Sequence, residues 1–503
     1  MKRVVSVLLS TVLATGVLAS LPGPAEARVR TVGKIRLSVT TVERYETIEV
    51  TGKVPPRAAR KVVLQRKTGW GWAAEMSSRT SARGRFHFSY EARRPTGRLV
   101  LRVVAPRRFL NGRLYPRVKT PRQRLRVTAP PRPAQGDIAR ITPGSNVSDR
   151  ATVSTDGRFL TFDSLAPDLV QGDTNDYQDV FLYDRATGET TAITNGRGTS
   201  YAGAISADGH YVIFDSYAST LVPDDTNQNR DVFVYDRLTQ SLSRITDGDD
   251  GSYAAGLSAD GRYIAYYSFA DDLVPDDTNG YRDVFIYDQL TQTTTKLTGG
   301  NGAALAPSIS ADGRWVSFYS GASNLVPGDG NHTRDVFLYD RDTATITRVT
   351  NGNGASYTGP GSLSGDGRYL TYYSFASDLV DGDTNGRADV FVFDRETGTT
   401  TRLTAGDNHS QNPTISTDGQ HIAFESYASD LVRGDTNDQS DVFLYDVADA
   451  LLTRVTAAGT APSYRASLSG DGGVLAFTSL AGDLVPDDTN NLDDVFAWVR
   501  RTS

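Results

Sequence analysis

The chain has 503 residues, no cysteine and a formal net charge of −6. The missing cysteines exclude disulfide staples, thiolate chemistry and a lipid-anchored N-terminal cysteine, so stability must come from burial. The charge is divided: residues 28–135 hold 27 Lys and Arg against 5 Glu and no Asp, whereas the chain beyond them holds 24 basic and 53 acidic residues. Such a division marks two domains with different partners, or two that attract each other.

At the N-terminus Lys2 and Arg3 precede an apolar run from Val4 to about Leu18, and Ala25-Glu26-Ala27 offers a small-x-small cleavage site. Residues 1–27 therefore read as a secretory signal cleaved near Ala27. The run is too short to span a membrane and no later segment comes close, so a secreted or periplasmic protein without a membrane span is expected.

Residues 28–128 form a basic domain with about seven short alternating runs, among them Thr47 to Val54, Lys61 to Arg66, Arg85 to Tyr90 and Leu99 to Val104. Length and strand number predict an immunoglobulin-like β-sandwich. Its arginines are scattered over all the strands and no nucleic-acid motif accompanies them, which leaves a solvated basic surface or a contact with an anionic polymer. The Pro-rich stretch 129–136 reads as a linker.

From residue 137 to 503 one pattern recurs seven times: Ser-x-Asp-Gly, a β-rich run, a loop with Asp-x-Asn, then Asp-Val-Phe and a second β-rich run. The Asp-Gly aspartates are Asp156, Asp208, Asp260, Asp312, Asp366, Asp418 and Asp471, a period of 52 to 54 residues. In the third copy strand a is expected at Ala255 to Ser258, strand b at Arg262 to Ser268, strand c at Asp283 to Asp288 and strand d at Thr291 to Thr298. Four strands per copy predict a seven-bladed β-propeller. A spare strand d at Ile138 to Thr142 precedes the first copy and the last stops at strand c, so the spare strand is expected to close the ring. With no open edge, a monomer is expected.

The hexapeptide Ser258-Ala259-Asp260-Gly261-Arg262-Tyr263 and its copies resemble the repeat of TolB-like β-propellers, and the resemblance covers Asp137 to Ser503. It implies the propeller fold. The family serves in periplasmic translocation, in peptidase propellers and in other secreted proteins, so it assigns no single function. The long b-to-c loop departs from the plain repeat, and the family's binding residues are not carried over.

That loop holds seven Asp-x-Asn-x-x-x-Asp triples: Asp173, Asn175, Asp179; Asp225, Asn227, Asp231; Asp277, Asn279, Asp283; Asp329, Asn331, Asp335; Asp383, Asn385, Asp389; Asp435, Asn437, Asp441; and Asp488, Asn490, Asp494. Oxygen donors at this spacing suit Ca²⁺, which takes six to eight oxygens. Asp and Asn also make side-chain-to-backbone turns without metal, and both readings stand open.

A second signal varies between copies. The last position of strand b is Asp163, Asp215, Tyr267, Tyr319, Tyr373, Glu425 and Thr478, and the d-to-a loops are expected to add Tyr201, Tyr253, Tyr357 and Tyr464. These tyrosines are expected on the rim that carries the Asp-rich loops, where they suit a sugar or peptide ligand; inter-blade packing is the alternative. The five histidines are scattered and there is no Gly-x-Ser-x-Gly elbow. The expectation is a non-enzymatic scaffold binding an envelope or extracellular protein or glycan. Its rivals are a polysaccharide lyase or glycosidase using the central funnel, and a purely structural envelope protein.

Overall fold

The computed structural model describes residues 34–38, 41–43, 47–55, 59–68, 71–91, 97–110, 113–115, 117–128 and 135–501. The expected signal segment, and the linker up to residue 134, lie outside them. The described residues hold strands and no helix, and none of them forms a helix long and apolar enough to cross a membrane. The chain divides into two compact units, 1–132 and 133–503, a division that falls inside the Pro-rich stretch.

In the first unit a three-stranded sheet joins Lys34–Leu37, Thr47–Lys53 and Arg85–Glu91. A second sheet takes Thr41–Glu43, Gln123–Thr128, Gly97–Ala105, Lys61–Thr68 and Gly71–Arg79 in that order, with Val118–Lys119 beside Gly97–Ala105. Period-two alternation makes the sandwich: Phe86, Phe88 and Tyr90 point inward to Val50, Leu64, Leu101 and Leu125, while Arg85, His87 and Ser89 point outward.

The second unit contains seven four-stranded sheets, the blades of a β-propeller. Blade 3 consists of strand a, Ser252–Leu257, strand b, Tyr263–Ser268, strand c, Asp283–Asp288, and strand d, Thr293–Lys296. Strands b and c are covered on both faces by neighbouring blades and so read as continuous apolar runs. Their centre is a cross-strand aromatic pair, Tyr266 opposite Phe285 with centroids 5.4 Å apart, and the other six blades repeat it as two stacked rings 5.4–5.6 Å apart. Strand d alternates exposed and half-buried residues because it is the outer edge.

The Ser-x-Asp-Gly segment makes the a-to-b turn. Asp260 accepts hydrogen bonds from Ser258 Oγ (2.6 Å) and the Arg262 amide (3.0 Å), and Gly261 takes the φ of +76° that the turn needs. The turns also bind one another. The amides of Asp156, Ala207, Ala259, Ala311, Gly365, Asp418 and Gly470 each donate to a carbonyl of the next blade's turn, at 2.8–3.2 Å, and the last donates to Thr155 of blade 1. This girdle is the reason for small residues at the variable position of the motif.

Blade 7 is closed by Gly136–Arg140, two residues earlier than the expected Ile138 to Thr142, antiparallel to Asp494–Arg500 with Ile138 opposite Trp498. A Cβ on Gly136 would stand 2.1 Å from the Trp498 indole, so this strand must start with glycine. Just beyond it Thr142 Oγ1 donates to Asp494 (2.9 Å) and accepts from the Val495 amide (2.9 Å).

Candidate functional site at the mouth of the central channel

Because strand a is the innermost strand, the seven copies surround an axial cavity of about 450 Å³ lined by small residues such as Ala204, Ala255 and Gly361. Strand b runs toward one end of this channel, the mouth, where the b-to-c loops emerge. The sequence predicts Tyr201, Tyr253, Tyr357 and Tyr464 in the d-to-a loops. They lie instead on strand a, opposite Asp215, Tyr267, Tyr373 and Thr478. The reason is the preceding serine: Ser252 Oγ meets Ser268 Oγ at 2.8 Å, and this pair starts the strand earlier than the β-propensity does.

The half-buried tyrosines form a shelf around the mouth. Tyr253 stacks on Tyr267 (4.8 Å), Tyr319 of blade 4 meets Tyr357 of blade 5 edge-on (5.2 Å), and Tyr357 stacks on Tyr373 (5.1 Å). Tyr373 lines the cavity itself, with Arg150, Asn412, Glu425 and Arg465. Packing between blades and an open aromatic surface are therefore properties of the same rings.

Two further sets complete the mouth, and neither belongs to the repeated motif. The residue after the strand-b serine is Tyr217, Phe269, Phe375, Tyr427 or Leu480 in five blades, each 37–47 % exposed. The residue before Asp-Val-Phe is Gln178, Arg230, Arg282, Arg334, Ala388, Ser440 and Asp493 in blade order. The Arg230 guanidinium carbon lies 4.0 Å from the Tyr201 ring centroid and 4.6 Å from that of Tyr253, and that of Arg282 lies 3.8 Å from the Phe269 centroid. The signal for both sets was variation between copies inside an otherwise constant frame.

The acids at the mouth have structural duties. Asp163 and Asp215 accept the amides of Ala202 and Ala254 in the next blade (both 3.0 Å), and Glu425 accepts that of Arg465 (2.8 Å). Burial pushes Asp163 up to about 7. Arg150, Ala306, Asn412 and Arg465, at the strand-a bulges, hold φ between 51° and 56° without being glycine.

In the Asp-x-Asn-x-x-x-Asp loops, the Asn Oδ1 of all seven accepts the backbone amide two residues on, an Asx turn. The last Asp accepts the hydroxyl of a threonine from strand d or just after it, as in Thr298 to Asp283 (2.6 Å), with Thr142 serving Asp494. In six copies a strand-d cation lies between the two carboxylates. Lys296 is 2.9 Å from Asp277 and 3.4 Å from Asp283, and Arg244, Arg348, Arg402, Arg454 and Arg140 repeat the arrangement. The counter-charge sought from Ca²⁺ is thus carried by the chain in these copies. Blade 1 has Ala192 at this position, and there burial pushes Asp179 up to about 6. Among the described residues no group of three or more His, Cys, Asp or Glu is arranged to hold a metal ion.

His210 replaces the arginine of Ser-x-Asp-Gly-Arg and keeps its partner, with Nε2 3.0 Å from Asp236, as Arg262 pairs with Asp288. It belongs to the frame at the end of the blades opposite the mouth.

No protein-family model matches the chain. An uncharacterized protein of Agrobacterium fabrum is 25 % identical over 244 residues, which is 48 % of this chain and 72 % of that protein. Among solved structures, an oligogalacturonate lyase in complex with manganese is 17 % identical with a TM-score of 0.48, covering 74 % of this chain and 97 % of its own. TolB from Acinetobacter baumannii is 16 % identical with a TM-score of 0.36, covering 75 % and 88 %. A putative TolB from Agrobacterium tumefaciens is 18 % identical with a TM-score of 0.36, covering 54 % and 88 %. The propeller assignment rests on the seven sheets themselves.

Proposed function

We propose that this protein is a secreted, non-enzymatic binding scaffold whose propeller mouth holds a glycan or protein ligand of the cell envelope or extracellular space. The observation that carries the reading is the mouth itself: an axial cavity rimmed by half-open tyrosines, exposed aromatics and arginines, at positions that differ between otherwise constant blades. Asp163 and Asp215 favour binding over acid–base chemistry, because both are buried and engaged by a neighbouring blade's amide. The basic outer face of the sandwich suits attachment to an anionic polymer. A glycan array and a pull-down from envelope extract, run with the wild type and with Tyr357→Ala/Tyr373→Ala, test this. Ligands lost with the double variant support the mouth as the site; a profile unchanged by it refutes the assignment.

A further inference from the structure

Blade 2 contains an internal picture of what the mouth arginines bind. Arg230, just before Asp-Val-Phe, donates from its guanidinium to the Asp215 carboxylate at the end of strand b. Blades 3 and 4 repeat the arginine as Arg282 and Arg334 but place Tyr267 and Tyr319 where Asp215 would be. Among the described residues no carboxylate pairs with either of them. Arg334 donates to the Tyr357 hydroxyl (3.1 Å), and Arg282 lies over Phe269 with its Nε buried and without a hydrogen-bond partner. Aromatic faces attract a guanidinium without neutralising it, so two adjacent blades present uncompensated positive charge. The two arginines hold the same position in adjacent blades, which places them on one arc of the rim. In blades 1, 5, 6 and 7 the same position carries Gln178, Ala388, Ser440 and Asp493, so at this position the arginines are confined to blades 2 to 4.

We propose that Arg282 and Arg334 hold the carboxylate of an acidic sugar whose ring lies against Phe269 and the tyrosines of blades 3 and 4. This deepens the reading of the mouth as a ligand site and rests on it. The ligand's carboxylate takes the place that Asp215 takes in blade 2, where a planar guanidinium meets a planar anion. The aromatic surface beside the arginines favours a sugar over a peptide side chain, since a pyranose offers a flat apolar face next to its carboxylate.

The test is isothermal titration of the full chain with a tetra-uronate, its carboxyl-reduced counterpart and tetra-glutamate. Expected are binding of the uronate, about tenfold or greater weakening for the reduced sugar, and similar losses in Arg282→Gln and Arg334→Gln. Tyr267→Asp, which builds the blade 2 pair in blade 3, should abolish binding with little change in melting temperature; if it fails to fold, the two glutamine variants decide. Equal affinity for the reduced sugar overturns the anionic subsite while leaving a glycan-binding mouth standing. Failure of the uronate to bind, while mouth-dependent ligands appear on the array, overturns the subsite alone. Binding of tetra-glutamate as tight as that of the uronate and with the same arginine dependence overturns the sugar assignment.

Discussion

Arg348 stands 2.7 Å from Asp329 and 3.8 Å from Asp335, with both carboxylates almost fully buried. Removing it by Arg348→Ala leaves two carboxylates without their cation in a site that excludes water. The expected loss is about 3–5 kcal/mol, read from chemical denaturation. Chelator or millimolar Ca²⁺ should leave the wild-type melting temperature unchanged, since six loops carry their own cation and all seven are held by Asx turns. A calcium-dependent rise with stoichiometric calcium in the purified protein would reverse that assignment. Four buried carboxylates, Asp163, Asp179, Asp215 and Asp231, give a pH effect, with or without a cation beside them. Burial raises Asp179, Asp215 and Asp231 to about 6 and Asp163 to about 7, above the unfolded carboxylate value of ~3.9. The folded state then binds protons that the unfolded chain has released, so this stability is fully present below pH ~4 and is lost as pH rises through 6 to 7. Asp288 and Asp394, held down to about 2 chiefly by hydrogen bonds from Arg262 and Arg368, stay ionised throughout and add no slope. The melting temperature should fall between pH 5 and pH 8, and Asp163→Asn with Asp179→Asn should make the fall shallower, with Asp215 and Asp231 carrying the rest. A flat wild-type profile would contradict the burial argument.

Among the elements, Gly136–Arg140 carries the ring: it covers the outer edge of the blade 7 strand Asp494–Arg500 and brings Thr142 to Asp494. Deleting the chain through Thr142 should leave that edge open, with aggregation or a melting temperature lower by ten degrees or more, on the order expected for losing a whole strand. An undiminished melting temperature would contradict closure. This element was legible in the sequence because a repeat with one piece missing at its end and one spare at its start has few other solutions. Strand c was legible to the residue, since Asp-Val-Phe combines β-branched and aromatic residues buried on both faces. Strand a of blade 3 starts at Ser252, three residues before its sequence suggests. Its Ala and Gly residues have little strand propensity and are there because bulk does not fit around the axis. Strand d is shorter than its Thr-rich sequence suggested, four residues in blade 3, because the outer edge has only one partner.

At the scale of the whole molecule the propeller unit is a ring joined twice, by the backbone girdle of the a-to-b turns and by the N-terminal strand in blade 7. Its two ends differ. The girdle end is constant from blade to blade, and the mouth is where the copies diverge. The divergence was visible in the sequence for the tyrosines, which stand among apolar strand residues, and was missed for Phe269, Phe375 and the arginines, which stand in loops where a motif reading expects variation. Leu290, 73 % exposed at a c-to-d turn, marks the constant end and serves as a control. Whether this mouth is the binding site is decided by a glycan array read with Tyr253→Ala/Tyr357→Ala beside Leu290→Ala. The mouth variant, still folded but with a lower melting temperature because its rings also pack between blades, should lose the wild-type signals, while Leu290→Ala keeps them. Signals that survive in the mouth variant, or that disappear with Leu290→Ala, would contradict the mouth as the binding site.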